Sequence, residues 1–259
     1  MSWVRGRRLW VVALAALAAL VVPSAAGATH SWNGYHWART TNSFTLKLGS
    51  NLSGTWGQYL ATTSTDWSLS TVLDTAIVPG AATLKSCKAT SGRVQVCNAA
   101  YGNTGWLGVA QVWVSGSHIT QGTVKVNDTY FNTATYNRPE WKNLVMCQEV
   151  GHTLGLDHQD TIFDNANLGT CMDYTSNPLG PPDNQHPNQH DYDELVIIYT
   201  HRDNSSTLSS SVSPSARGSF DTPGEWGHLV RGSTAPRSAA VYQRSLGGDQ
   251  TLLTFVIRA

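Results

Sequence analysis

The pattern of this 259-residue chain predicts an α+β fold: a mixed, twisted β-sheet with helices packed against it. Three observations carry that expectation. Between residues 43 and 130 the chain breaks into short alternating or apolar runs bounded by glycine, proline and asparagine, the pattern of strands. One stretch among them, Trp56 to about Leu73, spaces Trp56, Tyr59, Leu60 and Trp67 as one face of a helix would. After residue 137 the pattern turns helical. Strands with one early helix, followed by a later helix, describe a mixed sheet covered by helices.

The elements follow in order. Trp32 to Trp37 is an aromatic segment whose Gly34 and Asn33 predict a loop, its rings packed on the domain. Ser43 to Leu48 alternates polar and apolar as a half-buried strand does. Asp74 to Val78 is a second strand, stopped by Pro79-Gly80. Gly92 to Val96 and Leu107 to Val114 are further strands, and Ile119 to Tyr130 is expected to be one more. The next helix starts with Asn137 or Arg138 at the cap, Pro139 in the first turn and Glu140 at the positive end. Gly155 ends it, because glycine readily takes the left-handed conformation.

Arg5, Arg7 and Arg8, the apolar run from Leu9 to Val22 and the small residues Ala26-Gly27-Ala28 predict that residues 1–28 are a signal peptide. The mature protein is then expected to be secreted and extracellular, with no membrane attachment. Its four cysteines, Cys87, Cys97, Cys147 and Cys171, predict two disulfides, with three pairings open. Cys87–Cys97 would close a short hairpin-like loop, and Cys147–Cys171 would tie the later helix to the segment after it. Zero formal net charge and the lack of a basic stripe exclude a nucleic-acid partner. Residues 29–203 are expected to form the main domain. Residues 204–259 begin with a serine-rich linker and end in a strand, Thr251 to Ile257. That extension is near the lower size limit for folding alone and is expected to pack back on the main domain.

The chemistry concentrates in Gln148-Glu149-x-x-His152-x-x-Gly155-x-x-His158. Residues 148 and 152, four apart on a helix, share a face and can reach one metal ion. Glu149 lies one residue round, where a carboxylate can take a proton from a water at that ion. The turn at Gly155 returns His158 as a third ligand. Three protein ligands with an open position are the arrangement of a catalytic zinc site rather than a structural one.

With histidine in place of Gln148 the motif would read H-E-x-x-H-x-x-G-x-x-H, and the segment resembles the metzincin clan of zinc endopeptidases, its matrixin-like members above all. Cys171-Met172-Asp173-Tyr174 resembles the clan's methionine turn, which implies a packing role for Met172 beneath the metal. Tyr174 matches a tyrosine that in several of those families stabilises the transition state. His190 to Tyr199 resembles the closing C-terminal helix. The resemblance covers about residues 137–201. It implies a monomeric, metzincin-like zinc endopeptidase with Gln148, His152 and His158 on the metal and Glu149 and Tyr174 as catalytic groups. Its substrate would be an extended peptide or protein lying along a sheet edge, with residues 105–114 the nearest candidate.

Gln148 departs from the family pattern, and three outcomes are open. Its amide oxygen ligates zinc in place of an imidazole, at lower affinity. Alternatively, His152 and His158 hold the ion with an extra water or with a recruited histidine, the candidates being His118, His186, His190 and His201. Or the site holds no metal, and the protein is an inactive metzincin-like binding protein. Asp157 and Asp160 flank His158 and either orient it or solvate its loop. Asp160, Asp164, Asn165 and Asn167 offer oxygen ligands for a structural Ca²⁺, without a regular calcium-loop pattern. Trp32, Trp37 and Trp226 in loop-like surroundings raise the further option of a sugar platform.

Overall fold

A computed structural model describes Met1 and residues 29–208 and 220–259. The predicted signal peptide and most of the serine-rich linker fall outside the described residues. The architecture is α+β: one nine-stranded mixed sheet with helices packed on it. Its strands are β1 (His36–Trp37), β2 (Phe44–Asn51), β3 (Leu73–Pro79), β4 (Val94–Ala99), β5 (Trp106–Ser115), β6 (His118–Asn127), β7 (His228–Gly232), β8 (Ala239–Gly247) and β9 (Gln250–Arg258). The helices are α1 (Trp56–Trp67), α2 (Asp128–Phe131), α3 (Pro139–Thr153) and α4 (Gln189–Ile198). The sheet order is β3-β2-β4-β6-β5-β9-β8-β7, with β1 beside β6.

Pairing is parallel among β3, β2, β4 and β6 and antiparallel from β6 through β5, β9, β8 and β7. In β2 the predicted alternation is visible as buried Phe44, Leu46 and Leu48 around exposed Thr45 and Lys47. Strands β5 and β6 are buried on both faces, because α3 crosses one face while a smaller cluster of Trp106, Val109, Trp226, Tyr242 and Val256 covers the other. The main core lies between the sheet and helices α1 and α3, joined by Leu253, Phe255 and Ile257 of β9.

Several boundaries differ from the sequence expectation. Helix α1 stops at Trp67 rather than near residue 73, and Leu69 is left exposed in the turn to β3. Strand β6 stops at Asn127 rather than Tyr130. The Asn127 side chain accepts the Thr129 amide and caps α2, with Asp128 favourably placed at the positive helix end. Trp37 belongs to a short strand, not a loop. Trp32, Trp37 and Trp226 are all buried, and the Trp37 and Trp226 indole N–H groups donate to Thr153 O and Phe220 O. They are core residues, so no tryptophan platform is formed by them.

The C-terminal extension packs back as three strands of the same sheet, of which β7 and β8 were not expected. Disulfides join Cys87 to Cys97 and Cys147 to Cys171. The second ties α3 to the segment 24 residues further on. Replacing both Cys147 and Cys171 by serine is expected to lower stability by about 3 kcal/mol through the freed unfolded chain. A denaturant titration of the variant against the parent checks this. Among the described residues no helix is long and apolar enough to cross a membrane.

Candidate functional site

Helix α3 sets out most of the predicted residues. Arg138 caps it in extended conformation, Pro139 occupies the first turn, and Arg138 pairs with Glu140. The helix is buried almost all round, which places Gln148, Glu149 and His152 inside the protein. At its end Gly155 has φ +103°, and a Cβ there would meet the Tyr35 carbonyl oxygen at 2.3 Å. Only glycine makes this turn at such close quarters. The turn brings His158 back so that its ring centroid is 4.5 Å from that of His152.

Each side chain has a defined setting. The Gln148 amide nitrogen donates to Cys171 O at 2.8 Å, which leaves its buried Oε1 without a partner. His152 Nδ1 lies 2.9 Å from Leu156 O; donating there, it keeps the lone pair on Nε2. Burial first, and the neighbouring His158 second, push the His152 pKa down to about 3. Both nitrogens of His158 are buried without hydrogen-bond partners, although Asp157 Oδ1 stands 3.4 Å from Nδ1. Asp157 Oδ1 instead accepts the His158 backbone amide, and Oδ2 pairs with Arg231 of β7.

Glu149 is fully buried, and neither of its oxygens has a hydrogen-bond partner. Burial pushes its carboxyl well above the usual range, and the Ala110 backbone amide, short of a hydrogen bond, offsets this only in part. Glycine at position 108 of β5 leaves the room that Glu149 occupies, since a Cβ there would meet Oε1 at 2.6 Å. Met172 Sδ packs against Gly151, one residue before His152. Tyr174 is buried 6.4 Å from the His158 ring, and its hydroxyl donates to Arg258 O of β9 at 3.0 Å. Burial raises the Tyr174 pKa, so the hydroxyl keeps its proton.

Residues that the sequence did not single out complete the surroundings. Phe255 of β9 stacks on His152 with centroids 4.3 Å apart and planes 11° from parallel. Strand β9 also fills the edge of β5, the strand expected to receive an extended peptide. His30 accepts the Asp157 amide with its carbonyl, binds Asp191 through Nε2 at 3.0 Å, and keeps a buried, unpartnered Nδ1. No spacing rule links residues 30 and 255 to the motif; only the folded chain brings them there.

The other sequence candidates sit elsewhere. His186 pairs with Asp66 at 2.7 Å, His190 stacks on His30, and His118 and His201 gather around Asp203. Asp160 braces its own loop by accepting from the Ile162 amide and from Asn165, so it does not orient His158. Asn167 ties together Thr175, Asn177 and Pro182, while Asp164 points outward 4.0 Å from Arg237. Asp160 and Asn167 thus spend oxygens on loop contacts, while Asn165 Oδ1 is buried without a partner.

No protein-family model matches the chain, and no curated protein matches its sequence.

Proposed function

We propose that this chain is a secreted, metzincin-like, zinc-dependent endopeptidase whose site is closed by its own C-terminal strands. One observation carries the proposal. Gln148 Oε1, both oxygens of Glu149 and both nitrogens of His158 are buried beside His152 with no protein partner. Buried lone pairs without donors cost about 1–3 kcal/mol each. A cation held by Gln148 Oε1 and one nitrogen each of His152 and His158 would remove that cost for those atoms, and an amide oxygen with two imidazoles is a donor set zinc accepts. Gln148, His152 and His158 would hold it.

Zinc supplies Lewis acidity toward a peptide carbonyl and an attacking water. Gln148 imitates a ligating histidine: one end of its amide donates to Cys171 O, and the other presents a lone pair. Glu149, made more basic by burial, accepts the proton of the attacking water and passes it to the leaving amine. Tyr174 keeps its proton and donates to the developing oxyanion, once it gives up Arg258 O. The two disulfides agree with an exported protein.

A second reading has its own support. The five site residues are at most 5% exposed, and β9 lies along β5 where the peptide would bind. That closure favours an inactive, metzincin-like binding protein. Zinc content of the full chain and hydrolysis of an unfolded protein substrate separate the two. Zinc lost in His152→Ala together with measurable hydrolysis supports the enzyme; absence of hydrolysis in both the parent and Gln148→His would sink it. Gln148→His is expected to raise zinc affinity at least about tenfold, since imidazole replaces an amide oxygen. Competition with a chelator measures it.

A further inference from the structure

Away from α3, a second set of ligand atoms closes on one point. His36 Nε2, His201 Nε2 and Asp203 Oδ1 all lie within 4.8 Å of one another. His201 Nε2 is 3.0 Å from His36 Nε2 and 3.5 Å from Asp203 Oδ1, and His36 Nε2 is 3.4 Å from that same oxygen. His118 Nε2 approaches Asp203 Oδ1 at 3.1 Å. Donors bound about 2.0–2.2 Å from a tetrahedral ion lie roughly 3.3–3.6 Å apart, so the two contacts to Asp203 Oδ1 match ligand edges around one cation, and the histidine pair at 3.0 Å would open slightly to admit it.

The outer contacts prepare these atoms. His36 Nδ1 lies 2.8 Å from Gly34 O; donating there puts the lone pair of the neutral ring on Nε2. Asp203 Oδ2 accepts from Arg39 N at 3.1 Å and Arg39 Nη1 at 3.0 Å, leaving Oδ1 to face the histidines. Arg39 is itself buried and also donates to Tyr199 O and His201 O, which holds the chain after α4 in place. With His36 neutral, its Nε2 lone pair faces the Oδ1 lone pairs at 3.4 Å. That contact is repulsive unless a proton or a cation lies between them. Side chains of His36 and Asp203 are only 4% and 8% exposed, so water screens this contact poorly.

We propose that His36, His201 and Asp203 bind a divalent transition-metal ion, zinc by its donor set. Two imidazoles and a carboxylate suit zinc. Its ligands come from β1 and the chain beyond α4. The ion therefore staples the N-terminal segment to the point where the chain leaves the α4 region. This site shares no residue with that on α3, and it stands whether or not the endopeptidase reading does.

Zinc content of the full chain, loaded with zinc chloride and dialysed against a weak chelator, tests the proposal. His201→Ala is expected to carry one equivalent less than the parent, and His152→Ala to lose a separate equivalent. If the α3 site binds no zinc, the parent carries one equivalent and His201→Ala none. His201 is 55% exposed, so its truncation leaves the fold intact. Parent and His201→Ala should melt alike in chelator, and added zinc should raise only the parent's transition assigned to this site. Equal zinc content in the parent and His201→Ala, or equal stabilisation of both by zinc in a His152→Ala background, overturns the proposal.

Discussion

Glu149→Gln is expected to lower hydrolysis of a protein substrate by about 10²–10⁴-fold, the usual contribution of a positioned general base, with zinc content unchanged. The substitution keeps the shape of the side chain and removes its proton-accepting oxygen. A second effect follows from burial. The folded-state pKa of Glu149 lies above its ordinary value of 4.5, so the folded protein holds this proton at pH values where the unfolded chain has lost it. Stability from this group is therefore complete below about the unfolded value and falls as pH rises toward the folded one. In chelator, Glu149→Gln should melt above the parent at neutral pH, and the difference should shrink toward zero near pH 4. Thermal melts at the two pH values measure it. A variant less stable than the parent at neutral pH would show that the carboxylate has a compensating partner.

Phe255→Ala is expected to cost about 3–5 kcal/mol of stability, the range for truncating a buried aromatic ring. Phe255 is 1% exposed, stacks on His152 and meets Trp32 edge-on at 5.8 Å. It is thus core residue and cover of the site at once. Guanidinium unfolding gives the magnitude, and the rate at which an imidazole-directed reagent modifies His152 gives the loss of cover. A loss below about 1 kcal/mol would show that β9 contributes little to the core. Unchanged modification would show that another group shields His152.

Much of this was legible because it is local. The strand at Phe44–Asn51 follows from alternation, and the start of α3 from Pro139 and Glu140. The turn after α3 follows from Gly155, whose positive φ and close neighbour allow no side chain. Helical spacing placed Gln148 and His152 on one face, and both proposed disulfides are present. The end of β6 was missed because β-branched alternation continues in the sequence up to a point where Asn127 caps a helical turn. Strand β7 was missed because it is exposed throughout and carries no burial pattern of its own.

The sequence by itself therefore determined the chemistry available on α3 and its following loop: an amide, a carboxylate and two imidazoles at helical and turn spacing. Tertiary structure decided what surrounds them. Pairing of β9 with β5 closes the edge, seats Phe255 on His152 and engages the Tyr174 hydroxyl, across separations that no local period encodes. The same holds for His36, His201 and Asp203. The proposed ligand cluster drawn from β1 and the chain beyond α4 has no spacing signature, because only the packing of those segments makes them neighbours. Local propensities act over a few residues, whereas shared burial can join any two parts of the chain. Both the closure of the α3 site and the second cluster arise from the latter.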